Sequence, residues 1–177
     1  MGVQYQTGKK FIVSNNEGIG WGGTYRHDGA NALQHPSTSS IRNTSIEVLE
    51  HTCNVFHERL ELITDSAGPG LHRGGLGVRR DVSFAADSEI ISQGKKSKTL
   101  AWGLKGGGEP SRNEMVVWPG TEKEKRVGMY RTFMKKGESF ANFSAGGGGW
   151  GHAYERTIEK ILDDVKNEYI SKDSARD

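Results

Sequence analysis

A chain of 177 residues with one cysteine and four prolines sets several readings aside at once. Cys53 has no second thiol, so the chain cannot close an internal disulfide or build a thiolate-rich metal site. Its apolar neighbourhood reads as a small buried side chain. No stretch approaches the ~18 apolar residues that a membrane helix needs. The first ten residues, Met1 to Lys10, lack the apolar core of a secretory signal, which leaves the cytoplasm as the expected compartment. There the glycosylation patterns Asn43-Thr44-Ser45 and Asn142-Phe143-Ser144 carry no meaning. Neither sign of charge dominates, with 24 Lys and Arg against 22 Asp and Glu. No basic stripe interleaves with aromatics, so nucleic-acid binding is not expected. The runs at Lys95, Lys96 and Lys98 and at Lys123, Lys125 and Arg126 read as solvated loops.

Hydrophobic residues are also scarce, at 33%, where a count that includes Gly usually gives ~45–50%. Either the fold is rich in loops or it buries part of itself against a partner. What is abundant is glycine, with 25 residues, about twice its usual share. Much glycine with little proline points to tight turns and close backbone approach rather than to a disordered linker.

Periodicity predicts a mainly β protein with some α. Residues 1–44 form a Gly-rich extended N-terminal segment, in which Phe11 to Val13 reads as a short strand. Residues 45–151 form a β-rich domain. Within it Cys53 to Ile63 is dense in β-formers, and Val78, Val82 and Phe84 alternate with Arg79, Asp81 and Ser83. Arg80 is the one polar intruder on that apolar parity. Ile90-Ile91, Met115 to Val117, Met129 to Met134 and Phe140 to Phe143 are further strands, with a hairpin-like turn at Lys135 to Glu138. Glycine turns between short strands predict an antiparallel sheet, sandwich-like or barrel-like. In residues 152–177, Ile158, Ile161, Leu162, Val165 and Tyr169 recur at helical spacing, predicting an amphipathic helix over 155–171 and a frayed tail.

The motifs do not add up to a catalytic set. Gly18, Gly20 and Gly23 match G-x-G-x-x-G, but no helix start follows, so a dinucleotide site is not expected. Gly94-Lys95-Lys96-Ser97 lacks the spacing of a phosphate-binding P-loop. Six histidines include no H-x-x-x-H pair, so no metal site is expected in this chain. Asp28 and Glu47 have the chemistry of an acid–base pair, yet sequence cannot bring them together. The run Gly146-Gly147-Gly148-Gly149-Trp150-Gly151 is the most unusual feature. It suits a structural turn, a surface against a ligand or partner, or an anion-cradling nest of bare N–H groups. Trp150 argues against a linker.

Seven segments in order, five of them glycine motifs, resemble the hydantoinase B and 5-oxoprolinase-type subunit family. Arg42-Asn43-Thr44-Ser45-Ile46-Glu47-Val48-Leu49-Glu50 is similar to its Asn-Thr-Pro-Ile-Glu-x-Leu-Glu segment. Glu58-Arg59 to Leu62, Asp65 to Gly70 and His72 to Val78 resemble its E-R-x-x-L, D-S-x-G-x-G and R-G-G-x-G run. Ala101 to Gly107 matches P-W-G-L-x-G-G, and Lys136-Gly137-Glu138 with Gly146 to Gly151 matches the closing turn and glycine loop. The resemblance runs from about Glu17 to Ser171 and covers roughly the last third of a B-type subunit. Ser45 stands where Pro is usual, and His152-Ala153 where Asp-Pro is usual.

The resemblance implies a subunit that works beside an ATP-binding A-type partner with an actin-like kinase fold. Such pairs phosphorylate a lactam, imide or ketone for hydrolysis or carboxylation. It implies ATP and a divalent metal on partner chains, and no cofactor in this one, because the family's metal ligands lie in the part this chain lacks. The rest of the B-type component is then expected as a separate chain. Motif position makes Arg42, Asn43, Glu47, Arg73, Gly74, Gly75, Gly146, Gly147, Gly148, Gly149 and Trp150 the candidates for substrate or interface contact.

Overall fold

A computed structural model describes residues 1–4, 6–33 and 44–176. Among them nine strands form two antiparallel sheets. The smaller has the order β2-β1-β5-β8, built from β1 (Gly2–Val3), β2 (Lys10–Phe11), β5 (Ser88–Gln93) and β8 (Met129–Met134). The larger has the order β3-β4-β9-β6-β7, built from β3 (Val55–Leu62), β4 (Val78–Phe84), β6 (Glu114–Val117), β7 (Lys125–Val127) and β9 (Ser139–Phe143). Both sheets keep open edges, so the architecture is two facing sheets and not a closed barrel. They meet at a small core of Phe84, Val117 and Met134, with Phe140, Ile90 and Tyr130 packed around it.

The period-two pattern of β4 is realised in full, since Val78, Arg80, Val82 and Phe84 are buried and the intervening residues are not. Arg80 is therefore carried into the interior by its neighbours. A bulge between His57 and Arg59 shifts the pairing of β3 on β4. It sets Leu60 opposite Arg80 and Leu62 opposite Val78, while Arg59 and Glu61 join Asp81 and Arg79 in a charged ladder on the other face.

Four local expectations change. Lys135 to Glu138 is not a hairpin: β8 pairs with β5 and β9 with β4 and β6, so this turn carries the chain from one sheet to the other. The basic run around Lys125 is an edge strand, with Lys125 over the Tyr130 ring and Arg126 paired to Glu114. Residues 46–52 form a helix, α1 (Ile46–Thr52), capped by Ser45, whose side chain accepts from Val48 N–H. The C-terminal helix, α2 (Ile158–Lys166), is shorter than its apolar spacing suggests. A 3-10 turn at Ala153–Glu155 precedes it, and the tail is folded back through Ser171 N–H donating to Asp65 at 2.8 Å.

Candidate functional site

The glycine motifs, scattered along the sequence, converge in one place. Segment 145–151 exchanges backbone hydrogen bonds with three other segments. Gly20 and Gly23 donate to the carbonyls of Ala145 and Gly148 at 2.9 and 2.8 Å. Gly147 donates to Gly75 at 2.9 Å and accepts from Gly68 at 2.8 Å. Gly149 donates to Gly108 at 3.0 Å and accepts from Leu104 at 2.9 Å. A sheet strand has two neighbours, whereas an extended chain with threefold character, like polyproline II, can face three. Only a chain without side chains can be surrounded so closely. A Cβ on Gly74 would overlap the Gly147 carbonyl, one on Gly147 that of Trp21, and one on Gly149 that of Pro69.

This packing bears on the readings left open for the Gly146 to Gly151 run. The N–H groups of Gly147, Gly149 and Trp150 are given to the carbonyls of Gly75, Gly108 and His72. Gly20 and Gly23 of the G-x-G-x-x-G match are likewise spent. Most N–H groups of both loops are thus given to neighbouring carbonyls, an arrangement of close backbone packing rather than of an open anion cradle.

Against the bundle sits a largely buried cluster of two arginines and two aspartates. Arg73 donates from Nε to Asp164 at 2.9 Å and from Nη1 to Asn31 at 3.2 Å and to its neighbour's carbonyl, Gly74, at 2.8 Å. Its guanidinium lies 4.7 Å over the Tyr169 ring. Arg156 grips Asp28 with both Nη atoms, at 2.7 and 2.9 Å, and Asp164 from Nη2 at 2.7 Å. Asp28 also accepts the Arg73 N–H at 2.9 Å. Burial pushes the Asp28 carboxyl up, but the hydrogen bonds and charge of Arg156, with help from Arg73 and Lys160, outweigh it. Asp28 is thus held below the usual carboxylate range and stays ionised. Burial works against the charge of Arg156 too, yet Asp28 and Asp164 raise its pKa further. The cluster is an electrostatic clamp that fastens α2 onto the glycine bundle.

The sequence-derived candidates therefore separate. Arg73, Gly74, Gly75, Gly146 to Gly149 and Trp150 come together, with Trp150 bridged to His72 and Leu104. Glu47 is exposed in the first turn of α1, with no hydrogen bond or ion pair to the clamp among the described residues. Asp28 pairs with Arg156 rather than with Glu47. Arg42 and Asn43 lie outside the described residues. Among the described residues no three His, Cys, Asp or Glu side chains are grouped to hold a metal ion, and no helix is long and apolar enough to cross a membrane. Sequence reasoning missed Arg156 and Asp164. The helical pattern puts Asp164 on a solvated flank of the apolar stripe, and nothing local says that this flank docks while Ile158 and Leu162 stay exposed.

Two antiparallel sheets joined by a side-chain-free glycine bundle and an arginine–aspartate clamp define the class of domain to which this chain belongs. The family model of hydantoinase B/oxoprolinase matches residues 1–153, so the chain is a member of that family. It is 29% identical over 165 residues to the B component of a putative D-/L-hydantoinase from a Pseudomonas strain, a match covering 88% of this chain and 26% of the relative. The fold superposes on ATP-dependent caprolactamase of Pseudomonas jessenii with a TM-score of 0.79 and 26% identity, over 89% of this chain and 28% of that one. Acetone carboxylase shares the fold at a TM-score of 0.76, with 18% identity over 89% of this chain and 25% of the other. The chain spans about a quarter of the length of these three relatives.

Proposed function

We propose that this chain is a non-autonomous subunit of a hydantoinase B-type, ATP-dependent complex and supplies the C-terminal portion of its B-type component. In this reading the complex phosphorylates a lactam, imide or ketone oxygen, turning a poor electrophile or an enol into one with a good leaving group. ATP and a divalent metal sit on partner chains, namely an A-type ATP-binding chain and the rest of the B-type component. The ring amides named for the hydantoinase and caprolactamase relatives favour hydrolysis over carboxylation.

The observation that carries the reading is the way α2 sits. Asp164 is 4% exposed, whereas Ile158 and Leu162 are 70% and 63% exposed. A helix that docks by a charged residue beside Ile161, Val165 and Tyr169, and leaves Ile158 and Leu162 outward, offers those two to another polypeptide. A second reading, a purely structural assembly subunit, is favoured by the saturation of the Arg73 clamp.

The test is co-expression with A-type and B-type chains of the same genome. ATP turnover with a hydantoin or lactam is expected to require this chain and not bicarbonate; turnover only with a ketone and bicarbonate selects carboxylation. A 177-residue chain that converts substrate alone, or that stays monomeric in the presence of those chains, overturns the proposal. Alanine at Arg73 or Glu47 separates the two readings. Turnover lost with assembly intact assigns a site, and unchanged turnover in an intact assembly assigns a scaffold.

A further inference from the structure

Between the two sheets, under the N-terminal segment, lies a cavity of about 360 Å³ that opens to solvent, at the lower end of the usual range for small-molecule sites. Its apolar wall includes Val82, Phe84, Met115 and Phe140. Its polar end is Arg80, only 3% exposed, whose Nε lies 2.7 Å from Glu17 Oε1. Neither Nη1 nor Nη2 of Arg80 has a hydrogen-bond partner among the described residues. A buried guanidinium with unmet donors is costly, because each has lost its water without replacement. The clamp at Arg73 and Arg156 shows how the same chain satisfies its other buried guanidinium groups.

The unmet atoms define the ligand. Arg80 offers the four N–H of its two Nη atoms. Its Nε meets Glu17 as a close ion pair without a well-directed hydrogen bond, and Glu17 Oε2 and His57 Nδ1 are the remaining buried side-chain polar atoms of the cavity lining without a hydrogen bond among the described residues. Donors outnumber acceptors, so the matching group must be rich in acceptors. A carboxylate fills both Nη positions at once with two parallel bonds. An amide carbonyl fills them poorly, and an ammonium is repelled. Glu89, another carboxylate on the cavity wall, is paired with Arg131 and does not compete. Glu17 does compete, but burial raises its pKa, so it gives way to a proton more readily than a surface glutamate. We propose that this cavity binds a small monocarboxylate with a short apolar body, its carboxylate held by Nη1 and Nη2 of Arg80.

The inference needs neither ATP nor a partner chain, so its failure leaves the assembly reading standing, and the converse holds. The test is calorimetric titration of the full 177-residue chain, its fold checked by circular dichroism, with pentanoate, pentanamide and pentylamine. Pentanoate is expected to bind saturably at one site, with the amide and amine much weaker. Arg80→Met should weaken pentanoate roughly thirtyfold or more. Should that variant unfold, Glu17→Gln decides: it removes the competing carboxylate, so binding should tighten several-fold. A purely structural pair predicts no such gain. No saturable pentanoate binding, equal binding of the amide, unchanged affinity in folded Arg80→Met, or weaker binding in Glu17→Gln each overturns the proposal.

Discussion

Charge decides most at the scale of single residues. Arg73, Arg156, Asp28 and Asp164 neutralise one another in a largely buried cluster, and each supports the orientation of the next. Removing one member strands the others. Asp164→Ala leaves two buried guanidinium groups short of a partner and is expected to cost about 3–5 kcal/mol, a large part of a typical ~5–15 kcal/mol stability. Urea unfolding at neutral pH reads this directly, and a change below about 1 kcal/mol would show that the clamp is not what holds α2. The same cluster sets a pH response. The folded pKa of Asp28 lies below its unfolded value, so its contribution is full above about pH 4 and fades as pH falls through the folded value. The urea midpoint should therefore drop from about pH 5 to about pH 3, and drop less in Asp28→Asn. A midpoint that rises on acidification would contradict this.

Backbone proximity governs the elements. The loop at Gly18 to Gly23 offers an internal comparison, because its glycines face different surroundings. A Cβ at Gly20 meets the Gly75 carbonyl and one at Gly23 the His72 carbonyl, both in severe overlap. At Gly22 the nearest atom, the Gly148 oxygen, is 3.6 Å away, an ordinary contact. Gly20→Ala and Gly23→Ala should each cost about 4 kcal/mol or more, at the edge of what single changes do. Gly22→Ala should shift stability by less than about 1 kcal/mol, with relief of unfolded-chain entropy working in its favour. Thermal melts of the three variants check the ranking; equal effects would mean the loop is not packed as described. For α2 the expectation is the opposite kind of separation. Ile158→Ser with Leu162→Ser removes exposed apolar surface, so the isolated chain should melt within a few degrees of the parent. Recovery of the co-expressed A-type and B-type chains by pull-down should nevertheless fall sharply. Undiminished recovery would assign the stripe to bare solvent.

For the whole molecule, legibility in the sequence follows how far apart the interacting parts lie in the chain. The β4 strand is legible because its alternation is local, and so is Arg80 as an intruder in it. The helix α2 is legible as amphipathic, but its bounds and its docked flank are not, because Arg73 and Arg156 pull Asp164 inward from segments the helical pattern does not contain. The glycine motifs are visible one by one and carry the family resemblance, since at positions such as Gly20, Gly74, Gly147 and Gly149 a pressed carbonyl tolerates no other residue. Their order in sequence, however, says nothing about which carbonyl presses on which.

The sequence by itself determined the family, the mainly antiparallel β class and the places where backbone must run bare. These follow from local periodicity and from residue types that a single position can enforce. Only the tertiary structure decided that the bare segments bundle around 145–151, that Arg73 is clamped by Asp164, and that Arg80 lies buried in a cavity wall with its Nη donors unmet. Each of those depends on groups distant in sequence, brought together by sheet pairing and close packing, and no short stretch of sequence carries that information.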